Sequence, residues 1–198
     1  MIYRILRAIV KPIFCLLYKV KIDGAENGKI DGRTMVIANH KSNCDPILMH
    51  LLFKPKIRLM AKKELFKNRF FGAVLRAFGA FPVSRGESDA AAVSNAMKMV
   101  ADGELVGIFP EGTRIKGDAL GKFQPGVAMM ALRSKAAIIP VYIDRKLKLF
   151  RKTNVTIGTP IDICARVDKT APLRERIRQG TEILESEMQY LQERTAKK

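Results

Sequence analysis

A histidine and an aspartate stand five residues apart in the stretch NHKSNCDP, residues 39–46. Apolar residues flank this stretch on both sides. The pattern predicts a strand that delivers His40 to a polar, exposed loop, and a helix that begins at Pro46 with Asp45 as its N-cap. Such a loop is long enough to fold the Asp45 carboxylate back onto one imidazole nitrogen, which leaves the other nitrogen free to take a proton. The spacing therefore predicts a general-base site.

Each of these residues also has an ordinary structural interpretation. Asp-Pro is a common start of a helix, and a loop histidine often makes only local hydrogen bonds. The nucleophile that such a base would serve is also open. Ser42 and Cys44 lie inside the loop, and a Cys–His enzyme would use the thiol. The alternative is a hydroxyl of a bound substrate, with no covalent enzyme intermediate.

Two more polar clusters follow apolar strands, where the sites of open α/β sheets gather. The first is FPVSRG, residues 81–86, and the second is FPEGTR, residues 109–114. The guanidinium groups of Arg85 and Arg114 suit a phosphate, although a surface ion pair is the simpler interpretation of Arg85 alone. Lys122 follows just before a predicted helix, whose N-terminal amides suit an anion. A P-loop is excluded, because Phe123 stands where that motif needs Ser or Thr.

Apolar periodicity and turn residues predict how these clusters are positioned. Strands are predicted at 34–38, 56–61, 80–84, 104–109, 136–143 and 154–160, and helices at 46–53, 62–79, 88–101, 125–135 and from 169 onward. Strands that alternate with helices predict an α/β fold with a single largely parallel or mixed β-sheet flanked by helices. Residues 23–198 are predicted to form one domain.

Residues 1–22 are predicted to be an N-terminal amphipathic, membrane-anchoring helical segment. They contain five basic residues and no acidic one, and Pro12 is expected to end or kink the helix. An interfacial helix on an anionic leaflet fits this composition. A helix packed on the core with a solvated basic face is the alternative. A signal peptide is disfavoured, because the apolar run is short and no small-x-small cleavage pattern follows it.

The composition narrows the classes of partner and compartment. A net charge of +17 predicts anionic partners, which are nucleic acid, an anionic membrane or acidic ligands. The chain has no tryptophan and shows no zinc-finger or RNP-type motif, so a nucleic-acid partner is not expected. Three widely spaced cysteines and two histidines form no disulfide or metal pattern, which suits a reducing compartment and excludes a structural zinc site.

Four blocks in this order resemble the motifs of the glycerolipid acyltransferases: N-H-x-x-x-x-D at 39–45, F-P-V-S-R at 81–85, F-P-E-G-T-R at 109–114 and I-P-V at 139–141. The resemblance is strongest to the bacterial 1-acyl-sn-glycerol-3-phosphate (lysophosphatidic acid) acyltransferases. Val83 and Ser84 depart from the family's usual isoleucine and aspartate, and Gln124 replaces a usual lysine. These departures leave the acceptor headgroup less determined than the reaction.

The resemblance implies acyl transfer from acyl-CoA or acyl-acyl-carrier protein to lysophosphatidate, at the cytoplasmic face of the cell membrane. By this resemblance His40 is the base, Asp45 orients it, and Cys44 is not a nucleophile. Residues 23–198 are then the acyltransferase domain, with no metal and no cofactor besides the acyl donor. Another lysolipid acceptor is the alternative, and a basic nucleic-acid-binding protein is a distant third. The residues expected to bind substrate are Asn39, Arg85, Glu111, Gly112, Thr113, Arg114 and Lys122.

Overall fold

The computed structural model describes residues 2–84, 90–117 and 119–197. Helices and strands alternate through these residues, and two short 3-10 helices lie at Ala25–Gly28 and Lys63–Phe66. In chain order the elements are α1 (Ile2–Leu17), β1 (Lys19–Asp23), β2 (Thr34–Ala38), α2 (Asp45–Leu52), β3 (Ile57–Lys62), α3 (Arg69–Phe78), β4 (Phe81–Val83), α4 (Ala90–Ala101), β5 (Leu105–Ile108), α5 (Gly126–Ser134), β6 (Ala137–Ile143), β7 (Lys152–Ile157), α6 (Ile163–Arg166) and α7 (Leu173–Ala196).

The strands form one seven-stranded sheet in the order β1-β7-β6-β2-β5-β3-β4. Every neighbouring pair is parallel except β6 and β7, which are antiparallel. The connection from β6 to β7 contains no helix, and a parallel pairing would need a longer crossover. The predicted single sheet flanked by helices is thus confirmed, and the sheet is mixed.

Both faces of the sheet are covered, because the side chains of each strand alternate between two cores. In β2, Met35 and Ile37 point to the core beneath α4, α5 and α7. Val36 and Ala38 point to the opposite core, beneath α1 and α2. All five residues of β2 are buried, so the strand that leads to His40 is fixed on both sides.

The structure corrects several predicted boundaries. Residues 19–22 are not part of the N-terminal helical segment, because β1 pairs in parallel with β7 as an edge strand of the sheet. Helix α1 does not end at Pro12 but continues to Leu17. The predicted helix 62–79 is interrupted before Arg69, because Asn68 is the N-cap of α3 and its side chain accepts a hydrogen bond from Phe71 N at 2.9 Å.

Helix α1 packs across the face of the sheet that α2 also covers. Phe14 is buried in the core there, and the Arg7 guanidinium donates to the carbonyls of Leu51 and Lys54 at 3.2 and 2.8 Å. Arg7 therefore satisfies carbonyl groups at the C-terminal end of α2, where cations are favourable. Among the helices of the described residues, none is both long enough and apolar enough to span a bilayer.

Candidate active site

Two loops meet at the carboxyl edge of the sheet, one after β2 and one after β5. These strands are direct neighbours and parallel, so the residues that follow them, 39–45 and 109–117, leave the sheet at the same edge. Ile115 N donates to His40 O at 2.9 Å, and Lys41 Nζ donates to Gly117 O at 2.9 Å. Two of the clusters singled out in the sequence therefore lie against each other.

The imidazole of His40 and the carboxylate of Asp45 are in direct contact. His40 Nδ1 lies 2.9 Å from Asp45 Oδ2, and the same oxygen accepts hydrogen bonds from Lys41 N at 2.7 Å and Ser42 N at 2.6 Å. Because a carboxylate oxygen only accepts, the imidazole proton must be on Nδ1. The lone pair of the neutral ring is then on Nε2, which is the nitrogen that can take a proton.

Asp45 contacts the imidazole of His40 from the first position of α2 and is not the N-cap of that helix. The N-cap of α2 is Cys44, whose carbonyl accepts from Leu48 N at 3.0 Å. Asp45 is the first helical residue and is fully buried. Its carboxylate turns back to amides three and four residues earlier, which closes the loop around His40. The N-cap prediction was wrong, whereas the predicted contact with His40 is present.

The ring of His40 is enclosed and not exposed as the polar sequence predicted. It stacks on Phe109 with ring centroids 4.2 Å apart and 22° between the planes, and 11% of its side-chain surface is exposed. Within residues 2–84, 90–117 and 119–197, Nε2 has no hydrogen-bond partner. Phe109 thus holds one face of the ring and Asp45 holds Nδ1, whereas Nε2 is available to accept a proton.

Glu111 joins the two loops through backbone amides. Oε2 accepts from His40 N and Oε1 accepts from Gly121 N, each at 2.9 Å, and the residue is only 5% exposed. Gly121 is required at this contact, because a Cβ there would lie 2.7 Å from Ile115 Cγ1 and 3.0 Å from Glu111 Cγ. Glu111 therefore positions the backbone of His40, in contrast to the predicted contact with substrate.

Asn39 is also structural. Its side-chain amide donates to Ile143 O at 2.9 Å, and its side-chain oxygen accepts from Ile143 N at 2.7 Å. Asn39 has no exposed surface. Both polar groups are used to fix the end of β2 to the end of β6, so the side chain is not available to a ligand, contrary to the predicted substrate-binding role.

The other predicted binding residues form an exposed rim. Gly112, Thr113, Arg114 and Lys122 are all exposed, and Gly112 has a φ of 67°, which favours glycine. Arg114 Nη1 donates to Asn43 Oδ1 at 2.6 Å, which places a guanidinium beside the His40 loop. Lys122 lines a cavity of about 350 Å³ that also borders α7. The prediction for Arg85 lies outside the described residues.

The two nucleophiles considered within the loop have other partners. Cys44 Sγ lies 3.4 Å from Tyr18 Oη, and this hydrogen bond raises the pKa of Tyr18, so the phenol stays protonated beside the sulfur. Ser42 Oγ accepts from Cys44 N at 2.9 Å. Of the two ring nitrogens of His40, only Nδ1 has a partner among the described residues, and that partner is Asp45. This arrangement favours a hydroxyl group of the substrate as the nucleophile.

The second histidine, His50, lies apart from this site. It is buried on α2 between the rings of Tyr3 and Phe78, with centroids 5.9 and 5.4 Å away. Burial lowers the pKa of His50 to about 4, and the nearby cations of Lys56 and Arg7 add to this effect. His50 is therefore neutral near pH 7 and belongs to the packing of α1.

Three residues of the site were not predicted from the sequence: Lys41, Phe109 and Gly121. Phe109 is the first residue of the F-P-E-G-T-R motif, so its position after a strand was a usable signal. Lys41 reads as one more surface lysine in a basic chain, but only 8% of it is exposed. Nothing in the sequence pairs Gly121 with Glu111, since that contact depends on the path of the loop.

Comparisons with known proteins show which family the chain is similar to. A family model described as Acyltransferase matches residues 19–144, which include both site loops. The 1-acyl-sn-glycerol-3-phosphate acyltransferase of Bacillus subtilis is 30% identical over 196 residues, covering 96% of each chain. The enzyme of the same name from Streptococcus pneumoniae is 35% identical over 141 residues, covering 67% of this chain and 52% of that one.

A solved structure shows the same fold. The crystal structure of the 1-acyl-sn-glycerophosphate (LPA) acyltransferase PlsC from Thermotoga maritima matches with a TM-score of 0.70. The match covers 96% of this chain and 79% of that chain, at 21% identity.

Proposed function

The chain belongs to the acyltransferase family and is an enzyme of that class, and we propose that it acylates the sn-2 hydroxyl of 1-acyl-sn-glycerol 3-phosphate to make phosphatidic acid. The observation that carries this proposal is the His40–Asp45 pair, with Nδ1 on the carboxylate and Nε2 available. The names of the Bacillus and Streptococcus relatives support the choice of acceptor.

In the proposed reaction, His40 Nε2 accepts the proton of the acceptor hydroxyl. The hydroxyl oxygen forms a bond to the carbonyl carbon of the donor thioester, and the carbon–sulfur bond then breaks. The imidazolium returns its proton to the leaving sulfur. Asp45 stabilises the positive charge that develops on His40 during transfer, and base catalysis of this kind contributes roughly 10²–10⁴-fold.

The acyl donor is acyl-CoA or acyl-acyl-carrier protein, and no cofactor besides the donor is needed for this chemistry. Both donors are thioesters, so the same step serves either one. The proposed site for the acceptor phosphate is the exposed rim of Thr113, Arg114 and Lys122, with Gly112 at the turn beside it. Arginine binds phosphate through a planar fork, and Arg114 already lies beside the His40 loop.

We also propose that α1 lies on the anionic, cytoplasmic face of the cell membrane. Ile5, Ile9, Ile13 and Leu16 are 53%, 55%, 52% and 75% exposed, and their spacing places them along one outward stripe of the helix. The inward side of the same helix already buries Phe14. A helix that is apolar toward both the core and the solvent is suited to an interface between protein and lipid.

A direct assay tests the proposed reaction. Purified protein is given lysophosphatidate in detergent micelles with radiolabelled acyl-CoA or acyl-acyl-carrier protein, and labelled phosphatidic acid is measured. We expect product with at least one donor, and we expect His40→Gln to abolish it without loss of folded protein. Activity confined to acceptors without a phosphomonoester would replace lysophosphatidate by another lysolipid, an alternative that Ser84 and Gln124 motivate.

A further inference from the structure

The connection from β6 to β7 presents a surface that the proposed reaction does not use. We call residues 145–152, RKLKLFRK, the basic loop; its last residue is the first of β7, and five of the eight residues are Arg or Lys. Leu147 is buried in the core beneath α1. Leu149 and Phe150 are instead 55% and 62% exposed. Two large apolar side chains therefore stand in solvent among cations.

The backbone holds Phe150 in an unusual conformation. Its φ is 59°, in the left-handed region that disfavours a residue with a large side chain. Phe150 N donates to Leu17 O at 2.8 Å, and Arg151 N donates to Lys148 O at 3.2 Å. The turn is thus closed by hydrogen bonds and directs an aromatic ring outward at a position where Gly or Asn would be less strained. Such strain is typical of functional segments.

The hydrogen bond to Leu17 connects the basic loop to the last residue of α1. Leu16, next to it, is 75% exposed and ends the outward stripe of α1. The loop begins just after Ile143, which is bound to Asn39 beside His40. The exposed apolar surface therefore continues from α1 to Leu149 and Phe150, at the sheet edge that carries the candidate active site.

We propose that the basic loop is a second lipid-contacting element, in which Leu149 and Phe150 insert into an anionic bilayer and the surrounding cations bind its phosphate headgroups. This inference rests on the proposed placement of α1 at a membrane. Arg145 is paired with Asp144 at 3.1 Å, whereas the four other cations of the loop form no ion pair within the described ranges. An apolar tip ringed by cations matches an anionic lipid interface.

A second contact with the bilayer would restrict the orientation of the enzyme. With α1 as the single contact, the whole enzyme could rotate about the axis of that helix on the bilayer. A second contact at the end of α1 removes that freedom and keeps the carboxyl edge of the sheet, with His40, at the level of the lipid headgroups. The proposed partner is the bilayer that holds a lysolipid acceptor.

A fluorescence experiment tests insertion, because the chain contains no tryptophan. Phe150→Trp in the full chain introduces a single reporter, and Tyr190→Trp on α7, at a residue 58% exposed, is the matched control. The core side chains of α7 pack on the opposite face of the sheet. With phosphatidylcholine vesicles that contain phosphatidylglycerol, we expect the emission of the Phe150→Trp variant to shift to the blue and to be quenched by brominated lipid. The emission of the Tyr190→Trp variant should stay unchanged.

The outcomes are distinguishable. If the Phe150→Trp variant pellets with vesicles while its emission stays as in buffer, the basic loop does not insert, although the membrane placement of α1 stands. If its emission responds to purified acyl carrier protein and not to vesicles, the partner is an acidic protein and the inference is wrong. Acyl transfer to a detergent-solubilised acceptor tests the proposed function independently of either result.

A second variant separates a lipid contact from a structural role. Asn tolerates a positive φ, so we expect Phe150→Asn to keep or raise the thermal midpoint and to lower affinity for anionic vesicles roughly tenfold. A structural role of the ring would instead lower the midpoint and leave binding unchanged. Lys148→Gln with Arg151→Gln should weaken binding to anionic vesicles and not to neutral ones.

Discussion

Replacement of Asp45 by Asn tests the proposed role of the carboxylate most directly. An Asn side chain has nearly the same shape and can still accept the two backbone hydrogen bonds, but it carries no charge to stabilise a protonated His40. The His40–Asp45 contact of 2.9 Å places the charge centres about 4 Å apart. At an effective dielectric constant of about 20, the lost attraction is about 4 kcal/mol. We therefore expect kcat to fall about 10³-fold.

The assay is acyl transfer to lysophosphatidate at saturating donor, with kcat and KM determined separately. We expect KM to change by no more than about threefold, since Asp45 is buried away from substrate and acts only when His40 becomes charged. Asp162→Asn is the matched control, because Asp162 also accepts two backbone amides, from Cys164 and Ala165, but faces no histidine. Its kcat should equal that of the unmodified enzyme.

Two results would refute this reasoning. A loss of kcat of less than about tenfold in folded Asp45→Asn protein would mean that His40 carries no positive charge beside Asp45 in the transition state. A loss fully explained by unfolding, seen as a matching drop in the amount of folded protein by circular dichroism, would assign Asp45 a structural role only.

Three further outcomes are expected. Cys44→Ala should keep kcat within about threefold, because the thiol contacts Tyr18; loss of activity in folded protein would indicate a covalent thiol mechanism. Asn39→Leu should lower the free energy of unfolding in urea by about 3 kcal/mol, because two buried backbone groups lose their partners; a raised KM with unchanged stability would instead support a substrate contact. The free energy of unfolding should fall by about 3 kcal/mol as pH drops from 6.5 to about 4, because the unfolded chain protonates His50 over this range while burial keeps it neutral in the fold. His50→Phe should remove that dependence; an unchanged pH profile would show that another group causes it.

The sequence predicted the central strands well for a physical reason. Residues 34–38 and 136–143 are short runs of apolar and branched side chains bounded by polar residues, and a run of this kind is buried on both faces wherever it falls in a parallel sheet. Strand β1 was missed because none of its residues is buried, and residues 19–22 were interpreted as the end of a basic helical segment. The break before α3 was missed because it depends on one capping side chain, Asn68.

The features of the candidate site likewise divide into those that the sequence predicts and those that depend on the fold. The sequence alone determined that His40 and Asp45 lie within reach of each other, because five residues and a proline restrict the path of the loop. It also determined the net charge of +17, which favours anionic partners. Family resemblance then grouped Asn39 and Glu111 with the binding residues, since residue type does not distinguish a side chain that touches a ligand from one that positions a loop.

Only the tertiary structure decided which role each of these residues takes. Asn39 meets Ile143 across 104 positions of sequence, and Glu111 meets the amide of His40 across 71. Such contacts exist because β2 is hydrogen-bonded to both β5 and β6 in the folded sheet. Local spacing placed the Asp45 carboxylate on one nitrogen of His40 and left the other available, whereas long-range pairing of strands determined how the backbone of His40 is held.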